Sequence, residues 1–327
     1  MKAPRFWSNR KNWIIPAALS PLAMIYRLSI FVNRLNSKNI TCSIPIVCAG
    51  NIVTGGAGKT PTAIAIAKLL ADMGQTPHFL SRGYRGKISG PTLVDREIHD
   101  SSMVGDEALL LAKIAPTWIS CDREKGASAA TNAGASIIIM DDGHQNHDII
   151  KDLSIIVIDG GFGFGNSRLI PSGPLRESLK SGIIRADAVV IIGQDKYATK
   201  EKIKNYSLPI IDADIFPVAK DTNIETKSVI AFAGIGRPEK FFDTLDFIGC
   251  EIIKKYTFSD HYNYKPKEID RLASEAEKYS ATLVTTEKDW IRIEKNKQNL
   301  VMPIPIELKW KDANKIKDLL NELFINT

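Results

Sequence analysis

Asn51-Ile-Val-Thr-Gly-Gly-Ala-Gly-Lys59-Thr60-Pro61 decides the fold of this chain. Ile44 to Ala49 before it form an apolar run of strand length. After it, Ile64, Ile66, Leu69 and Leu70 recur at helical spacing. Strand, glycine-rich turn and a helix opening on Gly58-Lys59-Thr60 make a phosphate cradle. Backbone N–H groups of Val53, Thr54, Gly55, Gly56, Ala57 and Gly58 face the phosphates, and the helix N-terminus adds partial positive charge. Lys59 reaches the β and γ oxygens, and the Thr60 hydroxyl faces Mg²⁺. The usual pattern has glycine five residues before Gly58, where this chain has Val53. A flexible glycine-rich linker would have no use for Lys-Thr at a helix start.

The 327 residues suffice for two domains and a sizeable core. Hydrophobic content of 44% and charged content of 24% are those of a globular protein, not a disordered or membrane-embedded one. Downstream of the phosphate loop, apolar strands alternate with helical patterns. The strands are Pro77–Leu80, Trp118–Cys121, Ile137–Met140, Leu153–Ile158 and Ala188–Ile192. Strands apolar throughout imply a parallel sheet covered on both faces. Asp221 to Lys227 is polar and marks a boundary, beyond which a second α/β pattern begins. It carries strands near Val229–Ala233, Ile252–Phe258, Thr282–Thr286 and Ile304–Leu308, and a last helix free to return to the first lobe. The expected fold class is α/β: a P-loop NTPase-like parallel-sheet core over 39–222, a smaller α/β domain over 223–327, and an N-terminal membrane-interface segment over 1–38. A cleft between the lobes is the expected ligand site.

Charge is uneven. Nine Lys or Arg and no Asp or Glu precede Asp72, so the first 71 residues carry +9 and the rest −3 of the net +6. Within them, Trp13 to Val32 is apolar with basic flanks. Pro16, Pro21 and Arg27 interrupt it, whereas a spanning helix needs ~20 uninterrupted apolar residues. An interfacial helix fits better, with its apolar face among acyl chains and Lys and Arg against anionic headgroups. A mitochondrial presequence has a similar composition, and a helix packed on its own core a similar pattern. Cys42, Cys48, Cys121 and Cys250 form no C-x-x-C pair and no zinc spacing, so reduced thiols are expected.

Asp141-Asp142-Gly143 closes the strand Ile137–Met140 at the sheet edge where ligands bind. A strand-end Asp beside a phosphate loop can hold Mg²⁺, although Asp-Asp-Gly also suits a turn. His144 and His147 lie three apart but lack a further ligand at metal spacing, which makes them loop and border residues. Arg82, after a strand, could stabilise transferred charge. Asp106 at a helix start reads as a cap, and His261 as a structural histidine. Pro171-Ser-Gly-Pro-Leu-Arg176-Glu177 reads as a stiff loop ending in an opposite-charge pair, and Gly160 to Gly165 as a flexible one.

The motifs Gly50 to Pro61, Ser81-Arg-Gly-Tyr84, Gly105-Asp-Glu107, Met140-Asp-Asp-Gly-His-Gln145, Leu153 to Asp159, Pro174-Leu-Arg-Glu177, Asp260-His-Tyr262 and Thr286-Glu-Lys-Asp289 run in order along most of the chain. Together they resemble the tetraacyldisaccharide 4′-kinase family, the lipid A kinases of Gram-negative bacteria, whose phosphate loop also departs at the Val53 position. That family often has an aromatic where His144 stands and His at Asn146. The resemblance implies transfer of the ATP γ-phosphoryl group, with Mg²⁺, to the 4′-hydroxyl of an acylated glucosamine disaccharide phosphate. It implies a monotopic enzyme at an anionic membrane surface, on the cytoplasmic face of the bacterial inner membrane, with no nucleic acid and no obligate protein partner. By resemblance, Asp106 is the base, His261 its tuning partner, and Asp141 and Asp142 the acids near Mg²⁺. Arg176 and Glu177 lie at the site edge, with Glu177 counted among the groups around the metal. The competing reading is a nucleotide-dependent membrane-bound switch or adaptor. A guanine-specific switch would carry [NT]-K-x-D, and Thr286-Glu-Lys-Asp289 has the wrong order.

Overall fold

The computed structural model describes residues 4–8, 13–218, 224 and 227–325. Its strands are β1 (Ile46–Gly50), β2 (Pro77–Ser81), β3 (Thr92–Leu93), β4 (Thr117–Ile119), β5 (Ile137–Asp141), β6 (Leu153–Asp159) and β7 (Ala188–Ile192). They continue with β8 (Ile210–Pro217), β9 (Ser228–Ala233), β10 (Glu251–Thr257), β11 (Thr282–Thr286), β12 (Met302–Ile304) and β13 (Ile306–Trp310). Among the described residues these form a nine-stranded sheet, ordered β13-β8-β7-β6-β1-β5-β2-β4-β3, and a four-stranded sheet, β10-β9-β11-β12.

β1, β5, β6 and β7 are buried at every residue, as their unbroken apolar runs require when both faces are covered. β1 lies between β5 and β6, parallel to both. The helix Lys59–Asp72 leaves the end of β1 and turns Ala63, Ile66 and Leu70 onto Val47, Ile137 and Ile155. The larger sheet is antiparallel only at its margins, where β3 meets β4 and β13 meets β8. The smaller sheet is parallel throughout, with Phe232, Leu245 and Leu272 buried on its two faces.

One strand expected near Ile304–Leu308 is two. β12 closes the smaller sheet and β13 opens the larger one, with Pro305 between them. Proline has no N–H for a ladder, so pairing breaks there, while its carbonyl accepts from Val218 N–H at 2.9 Å. The helix Ala313–Ile325 then lays Ile316 and Leu320 into the core of the larger sheet. The chain thus crosses twice between lobes. The expected boundary between residues 222 and 223 lies outside the described residues. The glycine run Gly160–Gly165 is a packed turn around Phe164, which is fully buried, and not a loose loop.

At the N-terminus, the helix Ser20–Leu35 buries only Ala23 of its own residues. Leu22, Met24, Ile25, Leu28, Phe31 and Leu35 are all more than half exposed. Among the described residues no helix is long and apolar enough to cross a membrane. All four cysteines are free of disulfides.

Candidate active site

Both lobes face a cleft of about 1740 Å³ lined by residues 54–60 of the phosphate loop. The loop needs glycine at Gly58, where φ is 93° and a Cβ would meet Ile192 Cδ1 at 2.4 Å. Val53 has a separate reason. It is 6% exposed and packs with Ile52, Phe164 and Leu175, so a side chain here anchors the loop to the apolar layer behind it. Thr54 N–H donates to Pro174 O at 2.8 Å and fixes the other edge.

The strand end of β5 faces the helix start across this loop. Thr60 Oγ1 donates to Asp141 Oδ2 at 2.7 Å, and Lys59 Nζ lies 3.6 Å from Asp142 Oδ2. Arg176 Nη1 donates to Asp142 Oδ1 at 2.7 Å. The two neighbouring acids are pushed in opposite directions. Burial, with the nearby Glu107 charge, raises Asp141 to about 7 against the pull of Lys59 and Thr60. Asp142 is only partly buried, and although that burial raises its carboxyl, Lys59 and Arg176 hold it below the usual range. Asp141 Oδ1 is buried with no hydrogen-bond partner. Such an oxygen beside a threonine hydroxyl and an ionised carboxylate fits a hard divalent cation. Among the described residues no three His, Cys, Asp or Glu side chains gather as a metal cage. Mg²⁺ asks for no such cage, because it is held by one or two carboxylates and substrate phosphates.

The second acidic centre joins residues 155 positions apart. Asp106 opens the helix Asp106–Leu111, and His261 from the smaller lobe places Nδ1 3.2 Å from its Oδ2. Arg292 donates to the same oxygen through Nε at 2.9 Å and also through Nη2. Lys288 Nζ stands 3.9 Å away. Burial alone would raise the Asp106 pKa. The His261 hydrogen bond and the Lys288 and Arg292 charges outweigh it and hold the carboxyl well below the usual range. His261 lines the cleft, whereas Asp106 sits behind it.

Other expected residues fall as follows. Arg82 is exposed and lines the cleft, near the buried Arg123. Arg176 and Glu177 do not pair with each other. Glu177 is buried and accepts from Arg185 Nη2 at 2.8 Å and Gln145 Nε2 at 3.0 Å, outside the cleft lining. His144 is buried, with Nδ1 3.0 Å from Ser154 Oγ and Nε2 3.1 Å from Gly182 O, so neither nitrogen is left for a metal. His147 lines the cleft.

Family-level likeness follows the same geometry. The tetraacyldisaccharide-1-P 4′-kinase description matches residues 15–324. The chain belongs to the tetraacyldisaccharide-1-P 4′-kinase family. A tetraacyldisaccharide 4′-kinase of Paramagnetospirillum magneticum is 43% identical over 323 residues, 99% of each chain. One of Rhodospirillum rubrum is 40% identical over 328 residues, covering 99% of this chain and 98% of its own. The crystal structure of an "apo" form of LpxK from Aquifex aeolicus, in complex with ATP, superposes with a TM-score of 0.76 at 27% identity. That match covers 95% of this chain and 100% of the other.

Several contacts of the site carry no sequence signal. Gln145 ties three groups together, donating to Asn51 O and Glu177 and accepting from Arg176 Nη1. Arg237 and Lys240 of the smaller lobe both pair with Asp159 at the end of β6. Arg292 meets Asp106 across 186 positions. An arginine three places after an aspartate in a short helical turn looks like an ordinary surface pair, and only the fold brings it to Asp106.

Proposed function

We propose that this chain transfers the γ-phosphoryl group of ATP to the 4′-hydroxyl of a tetraacyldisaccharide 1-phosphate. Family membership makes it a kinase acting in lipid A biosynthesis. The observation that carries the finer reading is the meeting, in one cleft, of three elements. They are the phosphate loop, the Thr60–Asp141–Asp142 group and the His261 edge of the Asp106 pair.

Lys59 and the backbone amides of residues 54–60 bind the phosphates and oppose their charge as the γ group moves. Thr60, Asp141 and Asp142 would hold Mg²⁺, which neutralises charge on the β and γ oxygens when bound. In the transfer, the 4′-oxygen forms a bond to γ-phosphorus while the bond to the β–γ bridging oxygen breaks. ADP leaves with that electron pair, and the hydroxyl proton passes to the Asp106–His261 pair. Arg82, Arg85 and Arg123 line the cleft and suit an anionic acceptor.

The acceptor's acyl chains belong in a membrane, and the helix Ser20–Leu35 is built to rest on one. Its apolar residues are exposed, Arg27 and Arg34 lie on the same helix, and Asn33 lines the cleft. These features support a reading in which the mouth of the site meets an anionic bilayer surface, on the cytoplasmic face of the inner membrane, where ATP is available. The test is transfer from γ-labelled ATP with Mg²⁺ to purified tetraacyldisaccharide 1-phosphate. Labelled lipid from the wild type and none from folded Lys59→Ala is expected. Nucleotide binding without labelled lipid refutes the acceptor, and near-normal turnover by Lys59→Ala refutes the phosphate-loop assignment.

A further inference from the structure

Behind the Asp106–His261 pair stands a residue that takes no direct part in the phosphoryl transfer. Arg292 is 8% exposed and belongs to the smaller lobe, while Asp106 belongs to the larger. One edge of its guanidinium, Nε and Nη2, is turned onto Asp106 Oδ2. The remaining nitrogen, Nη1, donates to Asp289 Oδ1 at 2.9 Å and Gly234 O at 3.0 Å. Asp289 is fully buried and over-determined. It also accepts from Gly234 N–H at 3.0 Å, Tyr264 OH at 2.9 Å and Thr286 OH at 2.7 Å. The arginine is thereby held rigid from one side and grips the carboxylate from the other.

We propose that Arg292 is a positioning residue for the proton transfer, fixing the Asp106 carboxylate against His261 Nδ1 so that the pair meets the acceptor hydroxyl in a single geometry. The inference rests on the kinase reading above. Its physical basis is the planar fork of arginine, which sets two N–H donors on one edge and so fixes direction as well as charge. Oδ2 is saturated by Arg292 and His261, whereas Oδ1 accepts, among the described residues, the Glu107 N–H alone, at 3.1 Å. The Asp289 and Gly234 contacts lie within the smaller lobe and hold the guanidinium, so its reach to Asp106 is what crosses between the lobes. The edge given to Asp106 orients a reacting group. The other charged groups around this carboxylate are Lys288, which is itself paired with Glu107 at 2.8 Å, and Glu107. Tyr84 packs edge-on against the His261 ring at 5.7 Å.

The test uses the full chain, ATP, Mg²⁺ and tetraacyldisaccharide 1-phosphate, with Arg292→Gln and Arg292→Lys. For Arg292→Gln, kcat should fall about 100-fold, the loss expected when a reacting group is misplaced by an ångström. KM for ATP should stay within about twofold, since the phosphate loop is untouched. The acid limb of its kcat–pH profile should move to higher pH, because a carboxyl that loses a neighbouring cation binds its proton more readily. Arg292→Lys keeps the charge and loses the two-pronged grip. It should lie between wild type and Arg292→Gln in kcat, with an acid limb close to wild type. A purely structural brace would lower the melting temperature without moving the pH limb of the folded fraction. If Arg292→Gln does not fold, Arg292→Lys decides: reduced kcat at unchanged KM supports the role, and wild-type kcat overturns it. An unmoved acid limb with kcat within about threefold of wild type in Arg292→Gln also overturns it. Absence of transfer by the wild type would instead refute the kinase reading and this inference with it.

Discussion

Acidification from pH 7 to pH 4.5 should strip stability from this protein through His144, and replacing that residue should isolate the effect. His144 is 2% exposed, with both ring nitrogens engaged by Ser154 and Gly182. Burial first, and the Arg185 guanidinium second, press its pKa down to about 4, against an opposing pull from Glu177. In the unfolded chain an imidazole titrates near ~6.5. Between these values the unfolded state binds a proton that the folded state does not. The folded pKa is the lower one, so the stabilisation is complete above the unfolded value and is lost as pH falls through 6.5 toward 4. A gap of two to three units corresponds to about 3 kcal/mol. Phenylalanine fills similar space and cannot titrate, although it leaves the Ser154 hydroxyl and Gly182 carbonyl unpartnered, at about 1–3 kcal/mol. Urea unfolding of wild type and His144→Phe at steps from pH 7 to pH 4.5 reads the difference. Wild type should lead at neutral pH, and its lead should shrink by up to about 3 kcal/mol at the acid end. A lead that stays constant with pH would refute the buried neutral imidazole.

Two further outcomes follow from the packing. Gly50→Ala would set a Cβ 2.4 Å from His144 Cβ and 3.0 Å from its backbone N, neither of which can swing aside. The end of β1 must then part from the loop after β5, costing about 1–3 kcal/mol and pulling Thr60 away from Asp141, so kcat should drop with the melting temperature. Wild-type kcat would show that this approach does not hold the site. Leu28→Asp with Phe31→Asp changes two exposed side chains of the helix Ser20–Leu35. Co-sedimentation with anionic vesicles should fall at least tenfold while turnover of a detergent-dispersed acceptor persists. Unchanged sedimentation would refute the membrane-facing role of the helix.

How much of this was legible in the residues varies by the range of the interaction. The phosphate loop could be read because its parts are contiguous. Glycines, Lys59 and Thr60 must follow one another on a strand-turn-helix, and the helix Lys59–Asp72 obeys its apolar spacing. The buried strands were readable for the same reason, since a parallel strand covered on both faces has no polar face to hide. Asp106 and His261 were different. Each looks structural in its own neighbourhood, and only the family resemblance placed them together, where the structure sets them 3.2 Å apart. The placement of Glu177 on Arg185 and Gln145 was not readable, because Arg176 and Glu177 look like a pair in sequence and point to different layers.

The sequence by itself determined the fold class, the phosphate loop and the basic, apolar N-terminus, because each rests on neighbours a few residues apart. The tertiary structure alone decided that the chain crosses at Pro305 to add β13 and the last helix to the first sheet. It alone decided that Asp106 is gripped by Arg292, and that two adjacent aspartates carry opposite pKa shifts. Those outcomes depend on burial and on charges brought in from distant segments, and neither is a property of any short stretch of chain.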